Sequence, residues 1–303
     1  MSEKIWPTML EAFNAFSPHY QDEVQAAMSD AGFEGPDWFF TYTAYGADPE
    51  PITAVAMHKM APYINVERLQ GRLETVTEHG FLKKVNDYAY ALTAEGRVGI
   101  ESFFSSARVG IGRVTPVSEA KMDRLADLLE RIVTATLAAS EPAAKPNLLI
   151  SRKTAPAADE NAAIQIDQYL TDLLRYRDDA HIAAWTPNLI TGQGWETLSL
   201  IWQGDLNTLA ELAESRQNRG FDKAVYAEAL DDLIKRGWLT EADGIYKVTA
   251  KGKQIREEAE LLTDEYFYVG FQALSMAETE ELAGLLLEVK EGLAVPEEEP
   301  VPA

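Results

Sequence analysis

The chain of 303 residues has no cysteine and only four histidines. Without cysteine there is no disulfide framework, no thiolate-bound zinc, no iron–sulfur cluster and no thiol nucleophile. His19, His58, His79 and His181 include no close pair. A metal site wants three or four ligands, so no metal and no cofactor are expected. Positive charge is scarce as well: Lys+Arg 27 against Asp+Glu 49 leaves a formal −22. That balance argues against non-specific attraction to nucleic acid or to an anionic membrane. Long apolar runs are also missing, and no stretch approaches the roughly 18 uncharged residues of a membrane span. Residues Met1 to Pro7 lack the basic and apolar regions of a secretory signal, so the cytoplasm is the expected compartment and no membrane partner is expected.

What is present is an ordinary globular composition, 46% hydrophobic and 25% charged, in a length that suits roughly two domains. Charge is uneven. Residues 1–50 carry one basic and nine acidic side chains, and residues 251–303 carry four and thirteen. Residues 51–113 carry eight basic and six acidic ones, a local +2 inside an acidic protein. Residues 138–160 hold three prolines and several alanines with little amphipathic period, which reads as an interdomain linker. Residues 294–303 read as a disordered acidic tail.

The chain repeats itself. Leu73 to Leu82, ending in Gly80-Phe81-Leu82, parallels Leu230 to Leu239, ending in Gly237-Trp238-Leu239, at an offset of 237 − 80 = 157. Leu92-Thr93-Ala94-Glu95-Gly96 parallels Val248-Thr249-Ala250-Lys251-Gly252 at 252 − 96 = 156. Leu125 to Glu130 matches Leu282 to Leu287, and Ala26-Ala27 with Gly35-x-x-Trp38 matches Ala183-Ala184 with Gly192-x-x-Trp195, all at 157. Matches at several separated places and nearly one offset imply a tandem duplication. The expected division is a first repeat with N-terminal helices over residues 1–137, the linker over 138–160, a second repeat over 161–293, and the tail.

Each copy encodes an amphipathic helix ended by glycine, a short hairpin, and a threonine-capped helix. In the second copy Val225, Leu230 and Leu233 form the apolar stripe, Gly237 ends the helix, Asp243-Gly244 turns the hairpin, and Thr249 caps a helix through Glu260. In the first, the hairpin tip lies near Asn86-Asp87, the return strand runs from Tyr88 to Leu92, and Thr93 is the cap. The phrase Leu-x-x-Leu-x-x-x-Gly-Trp/Phe-Leu followed by Val/Leu-Thr-x-x-Gly resembles the MarR-type winged-helix regulators over about 45 residues of each copy. Arg177-Asp178-Asp179-Ala180-His181-Ile182-Ala183-Ala184 is similar to a stretch that precedes the winged helix in bacterial MarR-like helix-turn-helix proteins. The expected fold is therefore mainly α with small β-hairpin wings, as two tandem-duplicated winged-helix domains.

The resemblance implies a transcription regulator that binds double-stranded DNA, with recognition helices in the major groove and wings on the backbone. Copy one offers Asn65, Arg68, Gln70 and Arg72 on its helix and Lys83 and Lys84 on its wing. Copy two offers Arg216, Gln217, Asn218, Arg219 and Lys223, with Lys247 and Lys251 at or just after the wing. These side chains suit base edges and phosphates. Charge speaks against it: Asn65 to His79 and Asp222 to Arg236 each sum to −1. A winged-helix scaffold that has lost DNA and binds a small molecule or a protein remains the alternative. The duplication would make the chain either a monomer with an internal pseudo-two-fold or part of a homodimer.

A small hydrophobic or anionic ligand is the other expected partner. Arg177, Asp179 and His181 form one candidate cluster, and Trp38, Tyr42, Trp185 and Trp195 are aromatics that suit a pocket wall or simply a core. Gly110-Ile111-Gly112 follows no strand and suits a plain loop, and Ser118 starts an amphipathic helix as its cap. No Ser/His/Asp constellation can be assembled, so no catalytic residue is assigned and an enzyme is not expected.

Overall fold

The computed structural model describes residues 5–157 and 159–294. The expected tail lies almost wholly outside them. The first half runs α1 (Ile5–Phe16), a 3₁₀ turn (Ser17–His19), α2 (Gln21–Asp30), α3 (Asp37–Ala47), β1 (Ile52–Thr53) and α4 (Ala54–Met60). It continues through α5 (Val66–Glu78), β2 (Leu82–Asn86), β3 (Ala89–Leu92), α6 (Ala94–Ile111) and α7 (Glu119–Ala138). After α8 (Pro146–Arg152) the second half runs α9 (Ala162–Trp185), α10 (Gly192–Gln203), α11 (Leu209–Ser215) and α12 (Lys223–Lys235). It ends with β4 (Leu239–Ala242), β5 (Ile245–Val248), α13 (Ala250–Phe267) and α14 (Met276–Gly292). The fold is mainly α with small antiparallel hairpins, as the periodicity predicts.

Local chemistry sets the boundaries. Asn65 accepts from the N–H groups of Glu67 and Arg68 to start α5, and Thr208 with Glu211 forms a capping box for α11. Asp243 and Gly244, both at positive φ, make the two-residue turn that joins β4 to β5. One construction occurs in both halves. The Thr93 hydroxyl bonds the carbonyls of Gly80 and Phe81 at 2.7 and 3.0 Å. Thr249 does the same to Gly237 and Trp238 at 2.7 and 3.2 Å. A Cβ on Gly96 would lie 2.2 Å from the Phe81 oxygen, and one on Gly252 2.2 Å from the Trp238 oxygen. Both glycines are therefore required by close helix–strand approach rather than by φ.

Three expectations about elements need correction. The helix that Thr249 caps does not end at Glu260; α13 continues to Phe267 and a 3₁₀ segment follows to Ala273. Nothing between 260 and 267 breaks a helix, and Thr263 and Phe267 are buried. The return strand of the first hairpin begins at Ala89 rather than Tyr88, which is exposed at the tip. Ser118 holds the position before α7, but its side chain makes no capping hydrogen bond there.

Three cores organise the molecule. One joins α3, α4, α5, the first hairpin and α6, and another joins α10, α12, the second hairpin and α13. The third takes α1 and α7 from the first half and α9, the 3₁₀ segment and α14 from the second, with Leu125, Leu129, Ile132, Leu173, Phe267 and Leu286 fully buried. Each half therefore buries its own helices and hairpin and shares the remaining core with the other.

The proline- and alanine-rich segment is firmly docked. Asp179, 3% exposed, accepts from the backbone N–H of Asn147 at 3.1 Å and of Leu148 at 3.0 Å, holding the start of α8. Asp172, two helical turns earlier on α9, takes Ser151 at 2.6 Å and Arg152 at 2.7 Å. The buried Lys145 ammonium donates to the carbonyls of Thr136 and Ala139 at the end of α7, where the helix dipole favours a cation. Among the described residues no helix is long and apolar enough to cross a membrane.

Candidate functional site

In each half a short helix precedes a longer one across a tight connection: α4 before α5, and α11 before α12. The two pairs meet. The backbone N–H of Asn65, the residue that caps α5, donates to the carbonyl of Arg219 at 2.9 Å. A Cβ on Gly220 would lie 2.5 Å from Arg68. Arg219 lies over the Tyr63 ring at 5.9 Å, and Trp185 donates to the Tyr63 hydroxyl at 3.0 Å. Glu196 on α10 takes both arginines of the intervening turn, Arg219 at 2.8 Å and Arg216 at 3.3 Å. Consecutive Cα atoms are about 3.8 Å apart, and only a four-residue step separates Arg219 from Lys223. The starts of α5 and α12 therefore lie within about 25 Å of each other, short of the roughly 34 Å of one DNA turn.

Beside this contact lies a crevice of about 480 Å³, walled by Trp6, Tyr63, Arg177, His181, Arg219 and Glu260. Arg177 bonds Asp264 at 2.8 Å and stacks over Trp6 at 4.6 Å. His181 is fixed at both ends of its ring. Trp195 Nε1–H donates to Nε2 at 3.1 Å, and Nδ1 faces Thr263 at 3.2 Å. Nδ1 is therefore the protonated nitrogen. Burial, and then the Arg256 guanidinium, push His181 down to about 4, so it is neutral at neutral pH with neither nitrogen left to take a proton from a substrate. A second crevice, of about 250 Å³, lies against α9 on the first half and is lined by Tyr20, Val24, Trp38, Tyr42, Phe103 and Asp167 among others. There Tyr20 donates to Asp167 at 2.6 Å, and burial raises Asp167 to about 6. Among the described residues no three His, Asp or Glu side chains gather as a metal site would need.

A family profile described as a helix-turn-helix family matches residues 104–296. That is more than half of the chain. The protein belongs to the helix-turn-helix family. Neither the curated proteins nor the solved structures give a match.

The positions of the sequence-predicted residues in this helix-turn-helix protein are uneven. Asn65 spends its side chain on the α5 cap, and Gln70 donates to Tyr90 at 2.6 Å and to Glu74 at 3.2 Å. Arg72 is half-buried, while Lys83 and Lys84 are exposed on β2, with Lys84 3.6 Å from Glu74. Gln217, Asn218, Lys223 and Lys247 are exposed; Arg216 and Arg219 belong to Glu196. Of the ligand candidates, Arg177 and His181 share the larger crevice, and Trp195 supports His181 from the core, stacked on Trp185 at 5.7 Å. Trp38 and Tyr42 line the smaller crevice. Asp179 faces α8 and joins neither, because residues two apart on a helix point to different sides. Glu196, Tyr63 and Lys145 escaped sequence reading. The one available signal for Glu196 was the 157-residue offset of the sequence matches, at which it falls opposite Phe39 (196 − 157), an acid opposite an aromatic.

Proposed function

We propose that the protein is a non-enzymatic, MarR-like winged-helix regulator of transcription, a tandem duplication whose two halves take the place of the two subunits of a dimer. The present conformation is its closed form, which does not hold DNA. Support for the duplication comes from element starts: α1 and α9, α5 and α12, and α7 and α14 each begin 157 residues apart (162 − 5, 223 − 66, 276 − 119). The two crevices follow the same relation, with Arg177 answering Tyr20 and His181 answering Val24 at 157, and Glu260 answering Phe104 at the offset of 156 that holds along α6 and α13. The two domains on this reading are the winged helices, with the α1, α7, α9 and α14 core as their junction.

The observation that carries the closed form is the Asn65–Arg219 hydrogen bond with Arg68 against Gly220. It occupies the ends of the helices from which bases are read, and Glu196 neutralises two of the arginines that would face phosphate. Tyr63 and Arg219 wall the larger crevice, so a small hydrophobic or anionic ligand there acts on the same contact, and it works only through different affinity for closed and open forms.

Glu196→Gln tests this. Gln cannot hold two guanidinium groups by charge, so the variant should bind a fluorescent random-sequence duplex of about three helical turns roughly tenfold more tightly than the wild type at low salt, with a steeper salt dependence. Arg68→Ala should weaken both. If neither the wild type nor Glu196→Gln binds any duplex at low salt, the DNA reading fails. The second reading, a winged-helix scaffold that serves a small molecule or a protein, then takes its place. It is favoured by the exposed acids of the second half, Glu228 and Asp231 on α12 and Glu241 and Asp243 on the hairpin.

A further inference from the structure

A groove of about 810 Å³ lies between α4, the Glu141–Pro146 segment, the C-terminal end of α9 and Leu189. Its walls include Met60, Pro142, Ile182, Pro187, Leu189 and Tyr266. Apart from the charged groups at its rim, two of the polar groups along it are already spent. Both Asp179 oxygens accept backbone N–H groups of α8, and the Thr186 hydroxyl donates to the Ile182 carbonyl. A ligand with a polar body would leave its own groups unpaired here, so the complement is apolar. The volume is that of a small-molecule site.

A second, independent observation lies at the rim. Leu189 has φ 51° and is 84% exposed. Left-handed backbone is unfavourable for leucine, and its side chain stands uncovered at the rim of the groove. It is held there by Arg236, which donates to the carbonyls of Asn188 at 3.1 Å and Leu189 at 2.9 Å. Strain of this kind collects where something binds. The charged groups along the groove are Lys59, Glu141 and Asp179. Asp179 is buried under α8, whereas Lys59 is exposed and has no ion-pair partner among the described residues.

We infer that this groove binds an amphipathic carboxylic acid, its apolar chain lying against Met60, Pro142, Ile182 and Leu189 and its carboxylate at the Lys59 ammonium. Glu141 on the rim disfavours a second anionic group and restricts the ligand to one. Because the walls come from α4 of the first half and from α9 and Leu189 of the second, an occupied groove ties the two helix-turn-helix units together. The inference stands apart from the DNA reading and does not depend on it.

The probes are tetradecanoate and its neutral analogue tetradecan-1-ol, titrated into the full chain by calorimetry below micelle-forming concentrations. Tetradecanoate should bind at one site. Lys59→Gln should weaken it roughly tenfold, the worth of one charge-assisted contact, and leave the alcohol unchanged, while Glu141→Gln should tighten it. Ala183→Trp on α9, which fills the groove, should abolish binding of both. Should that variant not fold by circular dichroism, Ala143→Trp on the exposed connection does the same work. The inference is overturned if neither probe binds. It is equally overturned if acid and alcohol bind alike and Lys59→Gln is silent, or if binding survives the filled groove. A concentration-dependent dimer that Ala143→Trp dissociates would also overturn it, by assigning the groove to a second copy of the chain.

Discussion

A buried carboxylate is retained only where hydrogen bonds replace its lost water, and Asp179 meets that condition with two backbone N–H groups and the Asn147 amide at 2.9 Å. Removing it as Asp179→Ala leaves those donors buried without an acceptor and should lower unfolding free energy by about 2–4 kcal/mol in urea titrations. Its protonation has a definite sign. Burial lifts Asp179 from 3.8 to about 6, so between those values the folded protein keeps a proton the unfolded chain has released. Stability from this group therefore grows as pH falls through about 6 and is lost as pH rises through it, by on the order of 1 kcal/mol. Urea midpoints at about pH 7 and pH 5 should differ more in the wild type than in Asp179→Asn; equal differences would refute the assignment. His181 teaches the complementary lesson. Its spacing from Arg177 was visible in the sequence, but the Trp195 and Thr263 partners that commit its ring come from other helices.

At the scale of elements, local signals worked wherever the boundary was itself local. Thr93 and Thr249 cap their helices through the N–H groups of Gly96 and Gly252 at 2.9 and 3.0 Å. The Asp243-Gly244 turn and the Gly80 and Gly237 helix ends, at φ 88° and 72°, were also legible. They failed where packing decides. The end of α13 is set by the shared core around Phe267. Where α9 runs unbroken for 24 residues, the first half divides at Pro18, and that break is local. There the missing N–H and the ring displace the helix into a 3₁₀ turn. The glycine pair offers a strict test. Gly96→Ala and Gly252→Ala each force a methyl into a carbonyl oxygen, and each should destabilise its own half by about 2–4 kcal/mol. Hydrogen exchange should locate the loss at the corresponding hairpin; a silent Gly252→Ala would mean the strand is free to shift.

At the scale of the molecule, the shared core makes the halves interdependent. A cut after Leu137 would leave Met9, Leu125, Leu129 and Ile132 of the first half facing water, since their partners Leu173, Phe267 and Leu286 lie in the second half. Each such apolar side chain contributes roughly 1.5–3 kcal/mol when buried, against a total stability of only about 5–15 kcal/mol. Residues 1–137 expressed alone should therefore be unfolded or self-associated by circular dichroism and sedimentation, and co-expression with residues 138–303 should restore a folded one-to-one complex. A monomeric, cooperatively folding 1–137 fragment would contradict the shared core.

The sequence by itself determined the helical class, the hairpins and the caps at Thr93 and Thr249, because these depend on periodicity, turn chemistry and capping within a few residues of one another. It also showed how little positive charge the protein has to offer a polyanion. Only the tertiary structure decided where the two halves of the chain meet. Asn65 touches Arg219, Glu196 gathers Arg216 and Arg219, Lys145 closes α7, and Asp179 turns away from His181 to hold α8. These pairings join residues up to 154 positions apart (219 − 65), and their cause is the burial of α1, α7, α9 and α14 in one core, a long-range packing outcome that no local spacing encodes.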